Sequence, residues 1–137
     1  MKKSVITALT LSTLFFCQLS RASAHSPIDG VWELEAMYTV DKNGQSQPWC
    51  EGAYGVIIYV DGYMSTAVNC TSDPNKSVLY AGPFHIDGQT VFHHAQNASN
   101  PNLVRTHSRN FQLTDSHHLE LNGDLGSSKV IVKWVRR

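Results

Sequence analysis

The sequence predicts an all-β domain whose strands close into an eight-stranded antiparallel up-and-down barrel. Three observations carry this expectation. Dipeptides that tolerate positive φ recur along the chain, at Asn43-Gly44, Asp61-Gly62, Asp87-Gly88 and Asn122-Gly123, and such pairs favour tight hairpins. The runs between them are rich in β-branched and aromatic residues. Beyond residue 24, no segment sustains a helical period.

Strands are expected at 30–41, 53–60, 62–70, 78–86, 90–96, 103–114, 117–122 and 128–136. In the first, Trp32, Leu34, Ala36, Tyr38 and Val40 share a side, with Glu33 and Glu35 opposite. Asp61-Gly62 joins the second to the third, and Asp87-Gly88 the fourth to the fifth. In the sixth, Leu103, Arg105, His107, Arg109, Phe111 and Leu113 share a side that is apolar at one end and basic at the other. In the last, Val130, Val132 and Trp134 oppose Lys133. A sandwich would use the same strands. Successive short hairpins favour up-and-down order, and closure removes both sheet edges.

Residues 1–24 read as a secretory signal. Lys2 and Lys3 lead, residues 5–17 are apolar, and Arg21-Ala22-Ser23-Ala24 ends in a small-x-small cleavage pattern. The apolar run falls short of the roughly 20 residues a membrane span needs. A lipoprotein reading on Cys17 is poorer, because Leu14-Phe15-Phe16 stand where small residues are required. The expected destination is the periplasm or the medium. Asn75-Lys76-Ser77 and Asn97-Ala98-Ser99 match the glycosylation pattern, which matters only in a eukaryotic route.

The expected mature domain is residues 25–137. Lys2, Lys3 and Arg21 leave with the signal, so eight of the eleven basic residues face eleven acidic ones. This mildly acidic balance, without a basic run, gives nucleic acid no electrostatic footprint. No basic amphipathic helix suggests a membrane surface. Cys50 and Cys70 remain, and an even pair in an oxidising compartment reads as a disulfide.

Gly30-Val31-Trp32 at the head of the first strand is similar to the Gly-x-Trp of lipocalins and wider calycins. The run Gly55-Val56-Ile57-Ile58-Tyr59-Val60-Asp61-Gly62-Tyr63-Met64-Ser65 resembles the second hairpin of the bacterial lipocalin-like domain family. The run from Tyr80-Ala81-Gly82-Pro83-Phe84 through Ile86-Asp87-Gly88 to Val91-Phe92-His93-His94 resembles its next hairpin. Pro101-Asn102 and the closing Val132-Lys133-Trp134-Val135 extend the likeness over most of the mature chain. The cysteine pair and the signal depart from that pattern. The resemblance implies a lipocalin-like barrel in which Gly30 and Trp32 close one end and an arginine of the last strand, Arg136 or Arg137, packs over the tryptophan. It implies function only loosely.

The expected ligand site is the barrel lumen. Tyr38, Met64, Phe84, Phe92, Phe111 and Trp134 are its candidate apolar lining, and Arg105, His107, Arg109 and His94 its candidate polar groups. An apolar pocket with a few placed polar groups suits a small hydrophobic molecule such as a fatty acid, with the basic residues on an anionic head. The competing readings are a filled barrel, whose aromatics are plain core, and a solvated basic face.

Adjacent His93 and His94 point to opposite faces of a regular strand, so they cannot share one metal. His117-His118 belong at a hairpin tip. The expectation is therefore no metal centre and no cofactor. One exception is His25, which cleavage after Ala24 would expose as a copper-chelating N-terminus with His85, His94 or His107 as a further ligand. No nucleophile elbow, zinc-protease motif or phosphate loop is present. The alternatives to a carrier are a cyclase or isomerase using His94, Glu51 or Tyr38 as acid or base in the same barrel, and a protein-interaction module whose barrel is filled.

Overall fold

A computed structural model describes residues 25–137. The expected signal, residues 1–24, lies outside them. Turn chemistry sets the strand ends. Asp61 and Gly62 both take positive φ, 49° and 79°, and join β3 (Ala53–Val60) to β4 (Tyr63–Cys70), as a type I′ turn demands. Gly88, at φ 58°, starts the turn from β5 (Ser77–Asp87) to β6 (Thr90–His94).

The remaining strands are β1 (Gly30–Val40), β2 (Ser46–Pro48), β7 (Asn97–Ala98), β8 (Thr106–Leu113), β9 (His118–Leu125) and β10 (Ser128–Arg136), with a 3-10 turn at Pro101–Leu103. Eight of them form a closed antiparallel barrel in the order β10-β9-β8-β6-β5-β4-β3-β1, with β1 pairing back to β10. The short β2 pairs with β1 and the short β7 with β5. Among the described residues there is no α-helix, and no helix long and apolar enough to cross a membrane.

Two expectations about local structure are corrected. Asn122-Gly123 is not a turn. It lies inside β9, where Gly123 pairs with Arg109 and Val130, and the turn comes later at Gly126, φ 66°. The alternation of β1 is also broken. Its register with β10 shifts between Leu34 and Ala36, and a bulge there gives one strand an extra residue. Trp32 points inward, but beyond the bulge Met37 is buried and Tyr38 is only half-buried.

One barrel end is sealed. Ile28 and Trp32 are wholly buried, and the Trp32 indole N–H donates to the Ile28 carbonyl at 2.8 Å. The Arg136 guanidinium lies 4.2 Å from the Trp32 ring centre and donates to the carbonyls of Asp29 and Pro27. A cation stacked on a desolvated indole stabilises by about 2 kcal/mol. At the other end Cys50 and Cys70 form a disulfide, with Cα atoms 6.1 Å apart. It ties the segment before β3 to the end of β4 and suggests a non-cytoplasmic environment. Beside it Trp49 is buried, donates its backbone N–H to the Met37 carbonyl, and carries the Lys76 ammonium 5.0 Å from its ring centre.

Candidate functional site

The barrel interior is not purely apolar. The buried polar residues among the described ones are Thr66, His93, His107 and Arg109. Strand alternation puts them there. On β6, Val91 and His93 take the inner face, and on β8, His107 and Arg109 do. Facing β9 supplies Leu119, Leu121 and then Gly123. The glycine is spatially required. A Cβ at 123 would lie 2.7 Å from Arg109 Nη1 and 2.7 Å from the Ser108 carbonyl oxygen.

A hydrogen-bonded chain runs across the lumen. The Tyr59 hydroxyl lies 2.7 Å from His93 Nε2, and the Tyr80 hydroxyl 3.1 Å from His93 Nδ1. Burial, reinforced by the charges of Arg109, His107 and His94, lowers the His93 pKa to about 3, so its ring is neutral at physiological pH. A neutral imidazole has one N–H and one bare nitrogen. One tyrosine therefore donates to His93 and the other accepts from it. Burial pushes both phenols above their ordinary range, and Arg109 opposes this at each. His107 stacks on Tyr80 at 4.8 Å between ring centres and lies 2.8 Å from the Leu103 carbonyl. Burial lowers its pKa too.

Arg109 is 6 % exposed. Its Nη1 donates to the Ser108 carbonyl at 3.2 Å, the Tyr80 phenol lies within hydrogen-bonding reach of the guanidinium, and among the described residues it makes no ion pair. No carboxylate is among the buried residues. A buried guanidinium without a counter-charge is costly. A donor near it is unmatched: the indole N–H of Trp134, a residue 2 % exposed, has no partner. Both side chains line the same cavity, with Thr66, Tyr80 and His93. The cavity runs toward the end opposite Trp32, past Met37, Val78, Leu125 and Val130. Its volume is about 30 Å³. A water needs about 10–15 Å³ on this measure, so the cavity has room for one or two waters and the lumen is otherwise filled by side chains.

The candidate residues divide cleanly. Met64, Phe84, His107, Arg109 and Trp134 are buried, and of these Arg109 and Trp134 line the cavity. Met64 and Phe84 pack as core, Phe84 with its ring centre 4.9 Å from that of Tyr59. Phe111 is half-buried at the core's margin. Tyr38, Phe92, His94 and Arg105 do not join the lumen. The β1 bulge turns Tyr38 outward. Val91 and His93 hold the inner face of β6, which leaves Phe92 and His94 outside. Arg105 precedes the first residue of β8 and is exposed. Sequence reasoning did not select Tyr59, Tyr80 or His93. Glu51 lies in an exposed loop. The His117-His118 tip is held by Asp115, whose carboxylate accepts from both backbone N–H groups.

The barrel is similar to a redesigned β-barrel at a TM-score of 0.50 and 14 % identity, over 87 % of this chain and 97 % of that one. A de novo designed fluorescence-activating β-barrel matches at a TM-score of 0.46 and 8 % identity, over 80 % and 93 %. Identities this low concern the fold alone. No family model and no curated protein matches the chain.

Proposed function

We propose that this is an exported, lipocalin-like binding protein whose lumen takes a compact ligand with an anionic head. The observation that carries the reading is Arg109, buried and without a counter-ion, sharing a cavity with the unmatched indole N–H of Trp134. Guanidinium and indole N–H can only donate, and a carboxylate or other oxyanion only accepts. Such a head would supply the missing counter-charge to Arg109 and an acceptor for the Trp134 N–H. Its small apolar part would face Met37, Val78, Leu125 and Val130. The packing of Arg136 over Trp32 supports the lipocalin-like reading.

The volume of about 30 Å³ narrows the ligand class. It is far below the roughly 150 Å³ of a cavity that binds benzene. An extended acyl chain has no room in the barrel as folded, so the ligand is a short carboxylate or a comparable small oxyanion.

The test is calorimetric titration of the protein with acetate, butyrate, octanoate and inorganic phosphate, on wild type, Arg109→Met and Arg105→Met. Binding of a short anion that disappears in R109M and persists in R105M supports the reading. Absence of binding to all four, or equal binding in R109M, overturns it.

A second reading, a protein-interaction module with a filled barrel, draws on a different observation. The outer wall of β3 carries Tyr54, Ile58 and Val60 at 36–57 % exposure, with Val31 paired to Ile58 and Tyr63 paired to Val60. A contiguous exposed apolar patch marks an interaction surface. Ile58→Lys would abolish partner binding there and leave anion titration unchanged.

A further inference from the structure

The outer wall of the barrel carries a second cluster, independent of the lumen. His85 on β5 and His94 on β6 point outward, as do Phe92 on β6 and Thr106 on β8. His85 Nδ1 lies 2.9 Å from His94 Nε2, and the two rings are near-parallel, 13° apart with centres 5.0 Å apart. Phe92 stacks on His85 with ring centres 4.8 Å apart and planes 9° apart. His94 Nδ1 lies 2.9 Å from the Thr106 hydroxyl.

We infer that His85 and His94 form a surface chelate for a tetragonal divalent transition-metal ion, copper(II) foremost. Two nitrogens at this contact distance share a single proton, and a metal ion can take the place of that proton. Metal–imidazole bonds are about 2.0–2.1 Å. Two nitrogens 2.9 Å apart then subtend about 90° at the ion, the angle between neighbouring ligands in tetragonal copper(II) or nickel(II). A tetrahedral ion such as zinc needs about 3.3 Å between its ligands at the same bond length.

Each ring is held by a neighbour, and a tilt of the rings turns the facing nitrogens from one another toward a common ion. In the metal-bound form the Thr106 hydroxyl would accept from His94 Nδ1–H and leave Nε2 to ligate, and such outer hydrogen bonds orient metal-binding histidines. Phe92 stacked on its face and the Nδ1–Nε2 contact with His94 hold His85. Among the described residues, no third His, Cys, Asp or Glu completes a set with the pair. Water would fill the remaining positions on this open face.

The experiment is titration of tag-free protein with copper(II) sulfate, followed by calorimetry and electron paramagnetic resonance. Zinc and nickel are run beside it. Expected is one copper bound per chain, with hyperfine structure from two imidazole nitrogens and weaker binding of zinc. His85→Gln and His94→Gln should each remove that spectrum. Thr106→Val should weaken binding about tenfold with circular dichroism unchanged. His117→Gln/His118→Gln and Arg109→Met should leave binding as in wild type. Copper binding that survives both H85Q and H94Q overturns the inference. So does binding lost in the His117/His118 variant, or on acetylating the amino terminus, which would place the ion at His25 or at the hairpin tip.

Discussion

Arg109 and Gly123 are direct partners across β8 and β9, and the glycine leaves the space that the arginine occupies. The pairing couples a backbone choice on one strand to a charge on the next. Gly123→Ala would bring a methyl group within 2.7 Å of both a guanidinium nitrogen and a backbone oxygen. The oxygen cannot swing away. The expected loss is about 1–3 kcal/mol, read from urea unfolding, together with weaker anion binding. Wild-type stability in this variant would show that Arg109 does not occupy the space beside Gly123.

Arg109 itself should cost the ligand-free fold stability. It is buried, and its charge is unbalanced among the described residues. Arg109→Met keeps most of the side-chain volume and removes the charge, so the urea midpoint should rise, by a free energy of about 1 kcal/mol. Proteins commonly hold such destabilising groups where function needs them. A midpoint that falls would mean that Arg109 is structural.

His93 gives the fold a defined acid sensitivity. Its folded pKa is lowered to about 3 from 6.5. The unfolded chain therefore binds a proton below pH 6.5 that the folded barrel refuses until about pH 3. Stability contributed by the neutral ring is complete above pH 6.5 and declines as pH falls between these values. The slope approaches about 1.4 kcal/mol per pH unit. His107, shifted in the same direction, adds to it. Urea unfolding at pH 7, 6, 5 and 4 should show the decline, and His93→Gln should flatten it. An equal slope in H93Q would assign the acid sensitivity elsewhere.

The disulfide closes a loop of 20 residues in sequence. On the chain-entropy account its removal costs about 3 kcal/mol. Reduced protein, or Cys50→Ala/Cys70→Ala, should unfold at correspondingly lower urea while keeping its β-sheet circular dichroism in water. A loss under 1 kcal/mol would show that the hairpin β3–β4 holds this end without the bond.

Strand positions were largely legible because their turns are written locally. Asp61-Gly62 needs only two residues to declare itself. Facing was less legible, because one inserted residue reverses everything after it. The bulge at Glu35 exchanges Tyr38 for Met37, and nothing in the alternation of β1 marks it. His93 and His94 are chemically identical neighbours, and only the inward packing of Val91 decides between them. Arg109 could be read from its phase with Phe111. Arg105 shares that phase but falls before the strand starts. Asn122-Gly123 carries the strongest turn signature in its region. There the glycine serves an arginine on the neighbouring strand, a demand that no local pattern carries.

The seam between β1 and β10 joins the earliest and latest strands among the described residues. The barrel therefore has no stable partial form with a closed wall. Until β10 emerges from the ribosome, β1 lacks its neighbour and Trp32 lacks the cover of Arg136. Sheet folding that waits on such distant pairing is slow. The barrel wall can therefore close only once the whole span from Gly30 to Arg136 has been synthesised.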